Sequence, residues 1–332
     1  MLHDPRSLQR LVGRLLVAAG TLEENAAQVA EHVVDCELRG LQSHGLQRVP
    51  PYLDYIESGY ILPGGEVTHR WEGSLLRVSG GGGFGVPAMN RAVAELLQHD
   101  GIGIAAVTDV THTGRIGRFA ETLAEQGRLV WILGGGYFGR PDGRVAPHGG
   151  RAGIYSTNPH AFAFPGGAYG PMVADFASSA VAAGKVAVAR DKGEPLPPGS
   201  IIDKHGHPSQ DARDYYDGGA LLPAAGAKGY GLALMAELVG YALLGSPREF
   251  NWLIVALPVR LFRDPGEVAR GAEEVLAAIK AVPPAEGFDE VNFPGERQRT
   301  RFAEAKGVEV PTYLAKRLRA CAEKLGVSAT PF

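Results

Sequence analysis

The sequence predicts an α/β protein from three observations. The first sixty residues have helical patterns only, strand and helix patterns alternate from Leu75 onward, and amphipathic helices return near the C-terminal end. The chain has 332 residues, of which 45% are hydrophobic, and this length suits one large domain or two. Alternating strands and helices are typical of a β-sheet that is covered by helices.

The N-terminal region is predicted to contain three helices. Two of them lie within residues 4–40, and Thr21-Leu22-Glu23-Glu24 has the spacing of a capping box at the start of the second. A third helix is predicted over residues 47–58, with Pro50 and Pro51 in its first turn.

The remaining elements follow from hydrophobic periodicity and from glycine and proline positions. Strands are predicted at 75–78, 102–107, 129–133 and 252–258, and helices at 87–97, 115–126, 228–244, 268–281 and 311–325. Residues 154–190 predict two strands and then a helix from about Ser178, and a Gly/Pro-rich segment covers 193–227.

Composition excludes several classes of function. The net charge is −3, so nucleic acids and anionic membranes are not expected partners. No apolar run is long enough for a transmembrane helix. Two cysteines, Cys36 and Cys321, form no disulfide framework, which favours a cytoplasmic location. Histidine and cysteine spacings predict no metal site.

The glycine run Gly80–Gly85 satisfies the pattern G-x-G-x-x-G. A predicted strand precedes it, a predicted helix follows it, and Asp109 comes after the next strand. This layout fits the dinucleotide-binding turn of a Rossmann fold. A glycine-rich structural turn explains the same residues, so both interpretations stay open at this point.

Two segments carry groups suited to acid–base chemistry. Ser43 and His44 precede Arg48 and Tyr52, which share one face of the predicted third helix. Arginine binds carboxylates through paired hydrogen bonds, and histidine transfers protons near neutral pH. His112 follows the strand at 102–107, at the end of the strand where ligands commonly bind. Solvated loop residues are the alternative in both cases.

Three further segments offer polar groups beside apolar runs. Asn158 precedes a proline, Asp175 lies in a strand-like apolar run, and Lys228-Gly229 opens a predicted helix. A lysine and free backbone N–H groups at a helix N-terminus favour an anion. A turn, a helix cap and close helix packing are the respective alternatives.

The sequence resembles the malate/L-lactate dehydrogenase-like oxidoreductases, which are unrelated to ordinary lactate and malate dehydrogenases. That family includes ureidoglycolate, sulfolactate and diketogulonate enzymes and cyclic imino-acid reductases. The matching motifs, in order over nearly the whole chain, are Ser43-His44-Gly45 with Arg48 and Tyr52, Gly101-Ile102-Gly103, His112 with Gly114, Ala146-Pro147-His148-Gly149-Gly150, Thr157-Asn158-Pro159, Asp175-Phe176-Ala177, Lys228-Gly229 and Pro294-Gly295-Glu296.

The resemblance implies NAD or NADP bound on a large mixed β-sheet of non-Rossmann type, so Gly80–Gly85 becomes a structural turn. It implies a helical region at 1–70 that packs with helices at 285–332, a cofactor domain at 71–284, and a homodimer. The implied cofactor contacts are Asn158, Asp175, Phe176, Ala177, Ser178, Lys228, Gly229, Pro294, Gly295 and Glu296, with the backbone at 135–137 as a further candidate.

The implied reaction is hydride transfer between the nicotinamide and a small 2-hydroxy or 2-oxo acid. Arg48 is expected to hold the substrate carboxylate, with Ser43 and Tyr52 supplying hydrogen bonds. His112 is favoured as the acid/base group, and the alternative assigns that role to His44, with His112 holding the substrate. Reduction of a cyclic imine and a catalytically silent nucleotide sensor are the rival functions.

The sequence departs from the family pattern around the substrate. Thr111 and Thr113 flank His112 where the family often has serine or asparagine and an aromatic residue. The segment 134–144 is longer and more basic than usual, and Arg140 or Arg144 could meet an anionic substrate or a cofactor phosphate. These departures leave the substrate open.

Overall fold

The helices and strands follow the predicted order, with several additions. A computed structural model describes residues 2–138, 140 and 144–332; Gly139 and residues 141–143 of the basic segment lie outside the described residues. The helices are α1 (Pro5–Ala18), α2 (Glu23–Leu38), α3 (Val49–Glu57), α4 (Gly85–Gln98), α5 (Gly117–Glu125), α6 (Ala183–Lys192), α7 (Ala212–Tyr216), α8 (Ala227–Glu237), α9 (Pro265–Lys280), α10 (Glu296–Glu304) and α11 (Thr312–Lys324). The strands are β1 (Leu2–His3), β2 (Thr68–Glu72), β3 (Leu75–Ser79), β4 (Gly103–Thr108), β5 (Arg128–Gly135), β6 (His160–Phe164), β7 (Met172–Phe176), β8 (Ile201–Ile202), β9 (Pro208–Ser209), β10 (Ala220–Leu221), β11 (Asn251–Pro258) and β12 (Val308–Glu309).

One seven-stranded mixed sheet organises the fold, in the order β2-β3-β4-β11-β5-β6-β7. Strands β3 and β4 pair in parallel, and the other neighbours in this sheet pair antiparallel. A Rossmann sheet requires consecutive parallel strands, so this topology confirms the predicted non-Rossmann mixed sheet. Strand β7 forms one edge of the sheet.

The glycine run Gly80–Gly85, which follows β3, forms a turn that is covered by another backbone segment. The φ angle of Gly81 is +57°, and a Cβ at this position would lie 2.8 Å from the carbonyl oxygen of Glu66. The amide of Leu62 also donates to the carbonyl oxygen of Gly82. Residues 62–66 therefore cover the run, and its glycines serve close backbone packing.

The N-terminal helices and the large sheet share one hydrophobic core. Leu15 of α1, Val33 of α2, Ile132 of β5 and Leu318 of α11 are all buried in it. The predicted division into regions 1–70 with 285–332 and 71–284 stays a prediction. Within the described residues, no helix is long and apolar enough to cross a membrane.

Two local predictions were wrong. Leu22, not Thr21, is the N-cap of α2, and the Thr21 hydroxyl is buried without a hydrogen-bond partner among the described residues, because the helix starts one residue later than the capping box requires. The helix expected from Ser178 starts at Ala183. Residues 178–182 are held outside the helix, since the amide of Ser178 donates to the Thr157 carbonyl and the amide of Ala180 donates to the Leu222 carbonyl.

The sequence patterns missed several elements. The elements that were not predicted are strand β2, helices α7 and α10, the strand pair β1-β12 and the small sheet β10-β8-β9. Apart from α10 these segments are two to five residues long, and α10 contains few apolar residues, so hydrophobic periodicity gives little signal there. The helix expected over 228–244 ends as an α-helix at Glu237 and continues as a π-helical turn over Leu238–Leu243.

A buried ion network joins α2 to α5. Glu121 of α5 pairs with Arg39, the C-cap of α2, at 3.1 Å and with Arg115 at 3.2 Å, and Arg39 also pairs with Asp35 of α2 at 2.9 Å. Glu121, Arg39 and Arg115 are at most 9% exposed. Glu121 therefore neutralises two buried guanidinium groups and fixes the start of α5 relative to α2.

We expect Glu121→Ala to lower the free energy of unfolding by about 3–5 kcal/mol, because it leaves two buried cations without their shared carboxylate. Urea denaturation at fixed protein concentration measures the effect. Glu125→Ala on the same helix is the control, since Glu125 is exposed and surface charges contribute about 1 kcal/mol or less. Equal losses in the two variants would contradict a special role for the network.

Candidate active site

A cavity of about 790 Å³ lies between the N-terminal helices and the β7 edge of the sheet. This volume is within the range of about 300–1,000 Å³ that small-molecule and cofactor sites occupy. Its walls come from the segment after α2, the segment after β4, strand β7, the start of α6 and the segment before α10. The ionisable side chains that line it are His44, His112, Arg115, Asp175, Lys185 and Glu249.

The His112 imidazole is held through one nitrogen. Tyr52 Oη lies 2.8 Å from Nδ1, and the backbone N–H of Gly114 donates to the same nitrogen at 3.2 Å. Because an amide N–H can only donate, Nδ1 accepts, and the neutral ring carries its proton on Nε2. Nε2 has no partner among the described residues and is accessible to the cavity.

Local backbone geometry places these two donors. Gly114 has a φ of +69°, which turns the chain so that its amide points back at the His112 ring. Tyr52 projects from α3, is buried against Phe84, and burial raises its pKa to about 12. The phenol therefore keeps its proton at neutral pH.

His44 faces His112 across the cavity. The ring centroids are 6.0 Å apart and the planes differ by 25°. Ser43 Oγ lies 3.0 Å from Nδ1 of His44. A hydroxyl can donate or accept, so His44 can be protonated on either nitrogen or on both. His112 lacks this freedom, because a proton on Nδ1 would face the N–H of Gly114.

Both histidines are neutral at neutral pH. Burial, together with the positive charges of Arg48 and Arg115, lowers the pKa of His44 to about 4. Burial also lowers the pKa of His112 well below its usual value, with the Arg48 charge adding to the effect. The resting site therefore has uncharged imidazoles beside a fixed cation.

Arg48 lies one turn before Tyr52, with its guanidinium carbon 5.6 Å from the Tyr52 ring centroid. Its Nε is buried without a hydrogen-bond partner, and no ion pair with Arg48 occurs in the described part of the chain. The Glu249 carboxyl accepts from Tyr60 Oη at 3.2 Å. Burial raises the pKa of Glu249, and the Arg48 charge opposes that rise.

Asp175 closes the opposite wall. Its Oδ2 accepts the backbone N–H of Gly117 at 2.7 Å, at the start of α5. Burial raises the Asp175 pKa, and Arg115 partly offsets the rise. Phe176 and Ala177 also line the cavity, and the Phe176 ring stacks on His160 at 6.2 Å.

The other predicted cofactor residues divide into two groups. Pro294 and Gly295 line the cavity. The described structure places Asn158, Ser178, Lys228, Gly229 and Glu296 outside its walls.

The second group has partners or positions of its own. Asn158 is buried, its Nδ2 donates to Glu237 Oε2 at 2.8 Å, and its Oδ1 has no described partner. Ser178 Oγ donates to the Thr157 carbonyl at 2.8 Å. Lys228 is exposed at the start of α8.

Gly229 and Glu296, the remaining residues outside the cavity walls, each have a close contact elsewhere in the fold. A Cβ at Gly229 would lie 2.2 Å from the Ala224 carbonyl oxygen, so this glycine serves tight packing. The Glu296 carboxylate pairs with Lys280. The predicted roles of these residues stay predictions.

The residues present fit a dinucleotide. Gly295 has a φ of +91°, and a Cβ there would lie 3.1 Å from Val173, so the segment before α10 approaches β7 without side chains between them. The cavity wall combines this apolar cradle with the Asp175 carboxyl and Phe176. In the described residues no group of three or more His, Cys, Asp or Glu could hold a metal ion.

Sequence reasoning missed three charged residues of the cavity, namely Arg115, Lys185 and Glu249. Arg115 directly follows the His112 motif, which is a signal that could have been used. Lys185 lies in an alanine-rich helix, and Glu249 precedes the last strand of the sheet. Neither has a local pattern that distinguishes it from a surface charge. Arg140, a predicted anion contact, donates to backbone carbonyls of residues 247 and 248.

Comparison with known proteins gives consistent matches over almost the whole chain. A sequence model described as malate/L-lactate dehydrogenase matches residues 4–319. A (2R)-3-sulfolactate dehydrogenase (NADP(+)) of Chromohalobacter salexigens is 33% identical over 96% of this chain and 97% of its own. A ureidoglycolate dehydrogenase (NAD(+)) of Escherichia coli is 30% identical, over 92% of this chain and 91% of its own. The crystal structure of a Δ1-piperideine-2-carboxylate reductase from Pseudomonas syringae superposes with a TM-score of 0.86 at 30% identity, covering 97% of this chain and 100% of the other.

We expect Arg48→Met to raise the pKa of His44 from about 4 toward the ordinary value of about 6.5, because a neighbouring cation disfavours the imidazolium. The pKa of His112 should rise in the same variant. A pH titration of the imidazole proton resonances by NMR measures both. Arg10→Met is the control, since Arg10 is exposed on α1. Unchanged histidine pKa values in Arg48→Met would contradict this electrostatic account.

Proposed function

The chain belongs to the malate/L-lactate dehydrogenase family, and from this premise we propose that it is an NAD(P)-dependent oxidoreductase of small 2-hydroxy and 2-oxo acids. One observation carries the proposal. Two histidines face one cavity, and only one of them has both ring nitrogens free to carry a proton. Near them lies Arg48, whose Nε has no hydrogen-bond partner among the described residues, and opposite them lies a strand edge suited to a dinucleotide.

We assign the cofactor to the wall formed by Asp175, Phe176, Ala177, Pro294 and Gly295. When bound there, the nicotinamide of NAD or NADP supplies or accepts the hydride. Asn158, Ser178, Lys228, Gly229 and Glu296 remain candidate contacts from the family resemblance.

Arg48 holds the substrate carboxylate in this proposal. Its buried Nε lacks a hydrogen-bond acceptor in the part of the chain that the structure describes, and a planar guanidinium can give a carboxylate two parallel hydrogen bonds. Fixing the carboxylate orients the adjacent carbon, and orientation of this kind supplies a large part of catalysis. Ser43 and Tyr52 act on the histidines, through the contacts of 3.0 and 2.8 Å.

His112 donates a hydrogen bond to the substrate oxygen. Its Nδ1 accepts from Gly114, so the Nε2–H is the group that it offers to the cavity. A fixed donor at this position stabilises the negative charge that develops on the oxygen during reduction. The N–H of Gly114 also opposes the doubly protonated ring that proton transfer requires, which argues against His112 as the acid.

His44 carries the proton. In oxidation, its Nε2 takes the hydroxyl proton while the Nδ1–H rests on Ser43 Oγ, and in reduction the imidazolium returns that proton. The geometry thus favours the second of the two assignments that the sequence left open.

Reduction of a cyclic imine is the second candidate. The lowered pKa values of both histidines favour it, because an imine protonated in solution needs no proton from the protein. A structural relative is named for this activity.

We also propose a homodimer in the cytoplasm. Several apolar side chains on α8 and the following π turn are exposed, namely Leu234, Met235, Leu238, Tyr241 and Leu243. A contiguous exposed apolar surface commonly marks a protein interface. Sedimentation at a mass twice 35.1 kDa would support the dimer, and a monomer at all concentrations would contradict it.

Absorbance of the reduced nicotinamide tests the function. Protein is mixed with NADH or NADPH and with pyruvate, oxaloacetate, sulfonated oxo acids, sugar-derived oxo acids or cyclic imino acids. Loss of absorbance with an oxo acid supports the proposal, and loss with imino acids alone supports the second candidate. Cofactor binding without turnover across the panel would favour a silent sensor, and no cofactor binding would contradict all three.

We expect His44→Gln to lower kcat about 10²–10⁴-fold, because glutamine cannot transfer a proton. The matched variant His112→Gln keeps an N–H donor and should lose less, about 10-fold, the scale of one hydrogen bond. Initial rates at saturating cofactor and substrate measure both. The reverse order of losses would assign proton transfer to His112.

Lys185 is expected to select substrates with a second anionic group. It lines the cavity at the start of α6, and no ion pair with it occurs among the described residues. We expect Lys185→Ala to lower kcat/KM for oxaloacetate and sulfonated oxo acids about 5-fold, with no change for pyruvate. Lys192→Ala, at the far end of α6, is the control. Equal losses for pyruvate and the dianions would exclude this role.

A further inference from the structure

Helix α2 contacts both histidine segments through side chains that are outside the cavity. His32 is 1% exposed, and its Nε2 accepts the backbone N–H of Arg115 at 2.8 Å. Glu37 Oε1 accepts the backbone N–H of Leu46 at 2.7 Å. Arg115 follows His112 by three residues, and Leu46 follows His44 by two. One rigid helix therefore holds a backbone amide beside each histidine.

The two contacts share an unusual local arrangement. In each segment a glycine precedes the residue whose amide donates. A Cβ at Gly114 would lie 2.3 Å from His32 Nε2, and a Cβ at Gly45 would lie 2.1 Å from Glu37 Oε1. The α2 side chain thus occupies the space that a side chain at the glycine would need. The backbone of each histidine segment therefore packs directly against the α2 side chain that accepts its hydrogen bond.

Burying the His32 and Glu37 side chains lowers the stability of the fold in a way that an apolar residue would not. Nδ1 of His32 is buried without a partner among the described residues, although the ring stacks on Phe119 at 5.5 Å. Glu37 has no cationic partner in the described part of the chain, and burial raises its pKa to about 7. Buried polar groups with incomplete partners lower stability, so packing alone does not explain them.

We propose that His32 and Glu37 are positioning residues for His112 and His44, an inference that rests on the proposed function. His32 fixes the Arg115 amide, which sets the preceding peptide so that the Gly114 N–H points at Nδ1 of His112. Glu37 fixes the Leu46 amide, which sets Ser43 and His44 opposite His112. The distance of 6.0 Å between the two imidazole rings is thereby determined by α2.

The first test compares His32→Gln with His32→Leu. Glutamine keeps an acceptor for the Arg115 amide, and leucine does not. The tautomer of His112 is measured in the free protein from its imidazole ¹⁵N shifts, together with kcat, KM and the thermal unfolding midpoint. We expect leucine to admit the Nδ1–H tautomer and to lower kcat about 10- to 100-fold without a change in cofactor KM, and glutamine to restore both.

A folded leucine variant with the wild-type tautomer would overturn the proposal for His32, as would a glutamine variant as impaired as leucine. Should the leucine variant fail to fold, His32→Asn replaces it, because its shorter amide remains polar and ends short of the Arg115 amide. The tautomer readout needs no substrate. A failure of the proposed function would therefore abolish turnover in every variant and leave this readout intact.

The second test compares Glu37→Gln with Glu37→Met. Glutamine keeps an acceptor for the Leu46 amide and removes the charge, whereas methionine removes both. We expect methionine to lower kcat about 10-fold or more with the His112 tautomer unchanged, because Glu37 holds the other segment, and we expect glutamine to restore kcat. Wild-type kcat in the methionine variant, or equal loss in the glutamine variant, would overturn the role of Glu37.

Discussion

The hydrogen bond from the Gly114 amide to Nδ1 of His112 decides the chemistry of the cavity. At 3.2 Å, it makes Nδ1 an acceptor and leaves the N–H of the ring facing the cavity. Nδ1 of His44 instead contacts the Ser43 hydroxyl, which can either donate or accept a hydrogen bond. In the function that we propose, the two similar imidazoles therefore have different roles, with His112 as a fixed donor and His44 as a proton carrier. Backbone geometry, rather than residue type, separates the two roles.

The fold supplies the walls that this geometry needs. One side of the cavity is formed by the N-terminal helices with the two histidine segments, which follow α2 and β4 and contain Gly45 and Gly114. The edge strand β7 forms the other side. Asp175 caps the start of α5 from that edge, while Glu121 joins α5 to α2 through Arg39 and Arg115. Buried charges thus connect the two sides, and burial of the histidines beside Arg48 keeps both rings neutral.

The predictions from sequence succeeded where the determinants are local or where motifs occur in order. Long amphipathic helices such as α2 and α4, the mixed sheet, the family and the oxidoreductase class are confirmed. The capping box at Thr21 failed through a shift of one residue. Glu249, Lys185, His32 and Glu37 were missed, because their positions depend on tertiary packing and no local pattern distinguishes them. His32, for example, meets an amide 83 positions further along the chain.

A crystal structure of the protein with a reduced nicotinamide cofactor and oxamate, a stable analogue of a 2-oxo acid, tests the central claim most directly. The account predicts the nicotinamide against β7 and Gly295, the oxamate carboxylate on Arg48, and its carbonyl oxygen within hydrogen-bond distance of Nε2 of both His112 and His44. Oxamate bound away from Arg48, or a nicotinamide on another face of the sheet, would contradict it.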